Sequence, residues 1–215
     1  MKTVLDVGCG MGRHAYLLSQ KGYSCEGVEP HPKMVEYSRQ HYSGVTYKTG
    51  HMQNINYKNK FDAVMCIFSS IVFNKSNEEA VKTFRNFNRA LKKKGVIVIE
   101  TYNCISCLVH NSFRRWFVDL ERENNRKIIM HEWINPNHQS YVSERKYYQL
   151  SDNKKLGEFT KESRMFFPLE LKFFLESAGF EVLTMLSANS LNKMTFKDTT
   201  LDKKRLLVVA IKKKN

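Results

Sequence analysis

The stretch VLDVGCGMGRHA, from Val4 to Ala15, sets a short apolar run directly against three alternate glycines, Gly8, Gly10 and Gly12. Apolar residues then recur at Ala15, Leu17 and Leu18, a helical spacing. A strand that turns through glycines into a helix commits a chain to a βα unit, and the turn lets a ligand or another segment come close to the backbone.

The first half keeps that rhythm. Ser24 to Glu29 reads as a second strand ended by Pro30. Pro32 to His41 reads as a helix, with Pro32 in its first turn and Met34, Val35 and Tyr37 available to pack. Val45 to Lys48 is a third strand leading to a turn at Gly50, His51 and Met52. Phe61 to Phe68 is a continuous apolar run suited to a strand buried on both faces. Asn77 to Leu91 is helical, and Gly95 to Glu100 is a fifth strand. Alternation of this kind predicts βαβ units and a parallel sheet.

After Tyr102 the pattern changes. Asn103 to about Phe117 reads as a loop and short helix. Three β-biased stretches follow, at Arg126 to Trp133, Ser140 to Leu150 and Glu158 to Phe166, separated by turns at Asn135-Pro136-Asn137 and Ser151-Asp152-Asn153. An antiparallel meander inserted into the α/β core accounts for them. Pro168 to Ala178 is then a helix stopped by Gly179, and Phe180 to Leu186 and Arg205 to Lys212 are two last strands. The expected division is a core of 1–102 and 167–215 with an insertion of 103–166.

Length and composition narrow the class. A chain of 215 residues suits one domain with an insertion, and 42% hydrophobic with 26% charged residues is a globular composition. No run approaches the roughly 18 apolar residues of a membrane span. The chain enters the glycine motif without a secretory signal pattern, so a cytoplasmic location is expected. Five cysteines, mostly in apolar surroundings, suit packed thiols. Cys104, Cys107 and His110 form a CxxC with a nearby histidine but lack a second zinc-spaced pair, so no metal is expected. The net charge of +14 admits a nucleic-acid or other polyanionic partner, yet the densest runs, Lys92 to Lys94 and Lys212 to Lys214, lie at a helix end and at the C-terminus.

The glycine spacing separates two cofactor classes. A dinucleotide fingerprint needs a further glycine where this chain has Arg13. The GxGxG of Gly8, Gly10 and Gly12, preceded by Asp6 and followed by Glu29 in GVEPHPKM, resembles motif I and the second-strand acid of class I S-adenosylmethionine-dependent methyltransferases. The Gly50 turn after the third strand and FDAV opening the fourth follow in that family's order. The resemblance implies a Rossmann-like fold: a mostly parallel seven-stranded sheet with an antiparallel last strand, plus the inserted meander. It implies S-adenosylmethionine as cofactor, held by Asp6, Gly8, Cys9, Gly10, Gly12, Glu29, Pro30, Met34, His51, Met52, Ile67 and Phe68, with Glu29 on the ribose hydroxyls. Two features depart from the family pattern: His51 stands where an acid is usual, and only Met1 and Lys2 precede the first strand.

The fourth strand carries no NPPY or DPPY, which argues against base-amino methylation of nucleic acid. Its CIFSSIVFN and the layout of ESRMFFPLELKFFLESAGFEVLTM look like small-molecule N-methyltransferases of the amino-sugar type. That likeness implies a small-molecule acceptor, an amine nitrogen, and a meander that shapes the acceptor pocket and admits a homodimer. His131 in IIMHEW and Tyr102 are the catalytic candidates, because imidazole moves protons near neutrality. Tyr141, Ser69 and Ser70 are further acceptor-side candidates. A polyanion methyltransferase, and a binding protein that keeps the fold without catalysis, remain as alternatives.

Overall fold

The computed structural model describes residues 2–109, 115–189 and 199–213. These divide into two compact units, Met1–Asn103 with Phe166–Asn215, and Cys104–Met165.

In the first unit, β1 (Thr3–Val7), α1 (Arg13–Ser19), β2 (Ser24–Glu29), α2 (Pro32–His41), β3 (Thr46–Thr49), β4 (Phe61–Cys66), α3 (Asn77–Ala90) and β5 (Leu91–Tyr102) alternate. After the second unit come α5 (Pro168–Ser177), β10 (Phe180–Ala188) and β11 (Arg205–Lys212). Among the described residues the sheet has seven strands in the order β10-β11-β5-β4-β1-β2-β3. β1 to β5 pair in parallel, whereas β11 runs antiparallel to both β5 and β10. Chain order reverses between β1 and β4. The carboxyl ends of these two strands, with that of β2, therefore open the crevice where ligands of such sheets bind.

Two apolar layers cover the sheet. One joins Leu5, Val64, Ile97 and Val208 to Phe84 and Phe87 of α3 and to Leu171 and Phe174 of α5. The other packs Val4, Ala63 and Met65 against Ala15 of α1 and Val35 of α2. The amphipathic α3 is started by Ser76, whose side chain accepts from the Glu79 N–H, with Glu78 and Glu79 in the first turn.

The second unit holds α4 (Cys104–Val109), β6 (Arg115–Glu121), β7 (Arg126–Asn135), β8 (Ser140–Gln149) and β9 (Lys155–Arg164), with the four strands forming one antiparallel sheet in chain order.

Several bounds need correction. The fourth strand stops at Cys66, not Phe68, because Ile67 and Phe68 leave the ladder for a turn. The fifth begins at Leu91 and runs to Tyr102. The expected loop and helix over Asn103 to Phe117 gives way to β6 from Arg115: Trp116, Val118 and Leu120 alternate, and pairing with β7 through Trp116↔His131 stabilises the strand. His110 lies outside the described residues, as does Lys214 of the C-terminal run.

Candidate functional site

At the end of β1 the chain turns through Gly8, Gly10 and Gly12, all with positive φ. Gly8 has no room for a side chain, since a Cβ there would lie 2.5 Å from that of Ser70. At Gly12 a Cβ would meet the Tyr47 ring at 2.6 Å, and the Tyr47 hydroxyl donates to the Gly12 carbonyl at 3.0 Å. Strand β3 thus braces the turn at Gly12, while Ser70 meets it at Gly8.

Sequence reasoning expects the N–H groups of such a turn to face a ligand, and the structure places them otherwise. Those of Gly8 and Cys9 donate to the Val28 carbonyl at 2.8 and 3.2 Å, that of Gly12 to Cys9 at 2.9 Å, and that of Gly10 to Glu29 Oε2 at 3.1 Å. With its donors turned inward the loop is poorly suited to phosphate, and its acceptors suit a positively charged ligand better.

Glu29, at the end of β2, is buried, and both of its oxygens are fixed: Oε2 by Gly10, and Oε1 by the His31 N–H at 3.1 Å. Each carboxylate oxygen has a second lone pair, so the group retains acceptors for a diol. Behind it lies Asp6, fully buried, with Oδ2 lacking a hydrogen-bond partner among the described residues. Burial, with a smaller push from the Glu29 charge, raises the Asp6 carboxyl to about 7, against the pull of the Ala15 N–H. Burial also pushes up the thiol of Cys9, aided by Asp6 and Glu29, so Cys9 is an inert packing group here.

A cleft of about 110 Å3 opens beside these groups, lined by Gly8, Glu29, Pro30, Gly50, His51, Met52, Gln53, Ser70 and Phe73. It brings together Gly8, Glu29, Pro30, His51 and Met52 from the expected cofactor set. Met52 is largely buried, its sulfur 3.1 Å from the Asn74 amide nitrogen, whereas His51 is exposed. Met34, exposed on α2, and Ile67 and Phe68, past the end of β4, lie outside that lining. Gln53 and Phe73 join it without a sequence signal, since neither belongs to a recognisable motif.

The other side of the glycine turn meets the residues after β4. Phe68 and Ser69 both take the left-handed conformation, at φ 54° and 64°. For residues with side chains this costs about 1–3 kcal/mol each and persists only where surrounding contacts impose it. Glu100 imposes it here: its carboxylate accepts the Phe68 N–H at 2.8 Å and its carbonyl the Ser69 N–H at 3.0 Å. Ser70 follows, its hydroxyl donating to the Gly8 carbonyl at 3.2 Å.

The order and direction of the seven strands belong to a known group of folds. The fold is that of the class I methyltransferases. Residues 4–95 match a family model described as a methyltransferase domain. Over 97% of its length the chain superposes on 82% of the CcbJ methyltransferase from Streptomyces caelestis, with a TM-score of 0.83 at 18% identity. Over 99% it superposes on 84% of a SAM-bound amino pentose methyltransferase from Micromonospora echinaspora, with a TM-score of 0.73 at 22% identity. By sequence, 100 residues, or 46% of the chain, are 30% identical to the dTDP-3-amino-3,4,6-trideoxy-alpha-D-glucopyranose N,N-dimethyltransferase of Streptomyces venezuelae, covering 42% of that protein. The aligned stretch thus spans less than half the length of this curated relative.

Within the methyltransferase fold the two catalytic candidates fall in different units. Tyr102 ends β5 and is half exposed, its ring centroid 4.3 Å from the Arg205 guanidinium carbon. His131 sits on β7 between Trp116 and Trp133, with ring centroids 4.0 and 4.5 Å away and nearly parallel planes to Trp116. Tyr141, on β8, stands opposite Ile134 and Ser163. Among the described residues no three His, Cys, Asp or Glu side chains gather as a metal site, and no helix is long and apolar enough to cross a membrane.

Proposed function

We propose that this chain is an S-adenosylmethionine-dependent methyltransferase that acts on an amine nitrogen of a small molecule. The observation that carries the reading is Glu29: a buried carboxylate, both oxygens oriented by backbone N–H groups, facing a cleft beside a glycine turn whose donors are already used. A vicinal diol matches the remaining lone pairs of Glu29, and a cationic group suits the turn's carbonyls better than an anion does.

S-adenosylmethionine, if held there by Glu29 and the glycine turn, would supply an electrophilic methyl on a sulfonium for an amine lone pair. In this reading Glu29 orients the ribose, and His51 and Met52 border the base. Residues 104–165 are assigned to acceptor recognition and homodimer pairing, with His131 as the candidate proton acceptor of that unit, and Tyr102 is a candidate acceptor-side residue of the first unit. Support for an amine comes from the similarity to the Streptomyces venezuelae N,N-dimethyltransferase and to the amino pentose enzyme.

Titration calorimetry with S-adenosylmethionine and S-adenosylhomocysteine tests the cofactor assignment. Saturable binding of both to the wild type, lost in Glu29→Ala, is expected; absence of binding to the wild type refutes it. Labelled-methyl transfer to amino-hexoses tests the acceptor, with activity lowered roughly 100-fold in His131→Ala as expected for loss of a general base.

A further inference from the structure

The Glu100–Arg205 pair links residues 105 positions apart, on the neighbouring strands β5 and β11. Arg205 Nε donates to Glu100 Oε1 at 2.5 Å, and Arg205 Nη2 donates to the Ser69 hydroxyl at 3.0 Å. The Ser69 hydroxyl oxygen also accepts the Tyr102 N–H at 3.1 Å. All three side chains are buried, at 2%, 8% and 3% exposure for Glu100, Arg205 and Ser69. Every one of these bonds ends on Phe68, Ser69 or the strand end beside them. A fold that needed only to tie β5 to β11 already has the ladder between them.

The outcome of this bonding is where Phe68 goes. Its ring is half exposed and lies against His14 at the start of α1, with centroids 4.9 Å apart. Burial holds the His14 imidazole below its ordinary range, with the Arg13 charge adding to the effect. Tyr102, on the other flank of Ser69, lies over the guanidinium.

We propose that Glu100 and Arg205 are positioning residues of the methyl-transfer site: they hold Phe68 and Ser69 in the left-handed turn that sets the Phe68 ring on His14, forming an aromatic wall beside the glycine turn for the amine acceptor. The proposal rests on the methyltransferase reading for the wall's use, and on geometry alone for the clamp. A buried charge pair is a poor source of net stability compared with apolar packing, yet it dictates one arrangement of its neighbours, because no other satisfies both charges.

Stacking makes the clamp observable without an acceptor, since the Phe68 ring current shifts the His14 ring-proton resonances. Histidine-labelled protein would be compared as wild type, Phe68→Leu, Arg205→Lys, Arg205→Met and the charge-free double variant Glu100→Gln/Arg205→Met, with His14 assigned through His14→Gln. Phe68→Leu gives the unstacked position. Arg205→Met and the double variant should move the His14 lines most of the way there while the remaining histidines stay in place, and Arg205→Lys should hold at least half of the wild-type shift. The double variant leaves no unpaired buried charge, so it keeps the comparison open should Arg205→Met fail to fold. Wild-type His14 lines in the folded double variant overturn the proposal. S-adenosylhomocysteine binding to the wild type, measured alongside, tests the cofactor reading separately: its absence would sink that reading and leave the His14 comparison intact.

Discussion

Glu29 reaches back across the glycine turn to accept the Gly10 N–H at 3.1 Å, so the residue assigned to hold the ribose also fixes the loop against which the cofactor rests. On the proposed reading one side chain serves both binding and the shape of the binding surface. Glu29→Gln keeps the volume and one acceptor oxygen but loses the charge. Hydrogen bonds to charged groups are worth about 1.5–3 kcal/mol, so S-adenosylhomocysteine affinity should fall roughly 10- to 100-fold. Calorimetry on the two proteins measures this directly, and an unchanged Kd would remove Glu29 from the site.

Asp6 predicts an inverted pH dependence. Its carboxyl is raised from 3.8 to about 7 in the folded protein, chiefly by burial. The native state therefore holds this proton where the unfolded state has released it, and the group's contribution to stability falls as pH rises from about 4 to about 7. Asp6→Asn removes the titration. Relative to the wild type it should be more stable above pH 7, by an amount of order a few kcal/mol, with the advantage vanishing near pH 4. Urea denaturation at pH 4.5, 6 and 8 gives the difference, and a pH-independent difference contradicts it.

The three glycines of the turn should respond unequally to alanine. Gly8 combines positive φ with the Ser70 contact, whereas a Cβ at Gly10 would meet nothing within 4 Å. Gly10→Ala should cost about 1–2 kcal/mol from conformation alone, and Gly8→Ala more, with part of the excess recovered in Gly8→Ala/Ser70→Gly. Thermal unfolding of the three variants ranks them.

Thiol chemistry gives an independent check on burial. Cys9, Cys25 and Cys66 are all buried, and burial raises their thiols, to about 11 for Cys25. In native protein at pH 8 they should react with a water-soluble disulfide reagent at least 100-fold more slowly than after unfolding. Mass spectrometry of the early adduct identifies any exception.

Much of this was legible in the chain itself. β2, α2 and β11 have the bounds their apolar patterns and punctuation predict, because Pro30, Pro32 and the glycines leave the backbone few alternatives. Seven strands with one antiparallel member followed from the resemblance. The end of β4 was not legible: CIFSS continues the apolar run, and what ends the strand is the capture of the Phe68 N–H by Glu100, 32 residues away. The partner of Glu100 is farther still, on β11. β6 was missed because its alternation of Trp116, Val118 and Leu120 is short and gains its meaning from β7. The inward direction of the Gly8, Cys9 and Gly10 donors was not legible for a similar reason, as their acceptors belong to β2, at Val28 and Glu29.

Tyr47 touches two of the glycines at once: a Cβ at Gly12 would meet its ring at 2.6 Å and one at Gly27 at 2.7 Å. In descent this couples the three positions. Tyr47 can shrink at any time while both glycines remain, at the cost of a cavity. Once Gly27 has become alanine in that roomier background, the return of tyrosine is blocked. Glycine must then be restored there before tyrosine can return, so a large ring at this position requires glycine at both of the others.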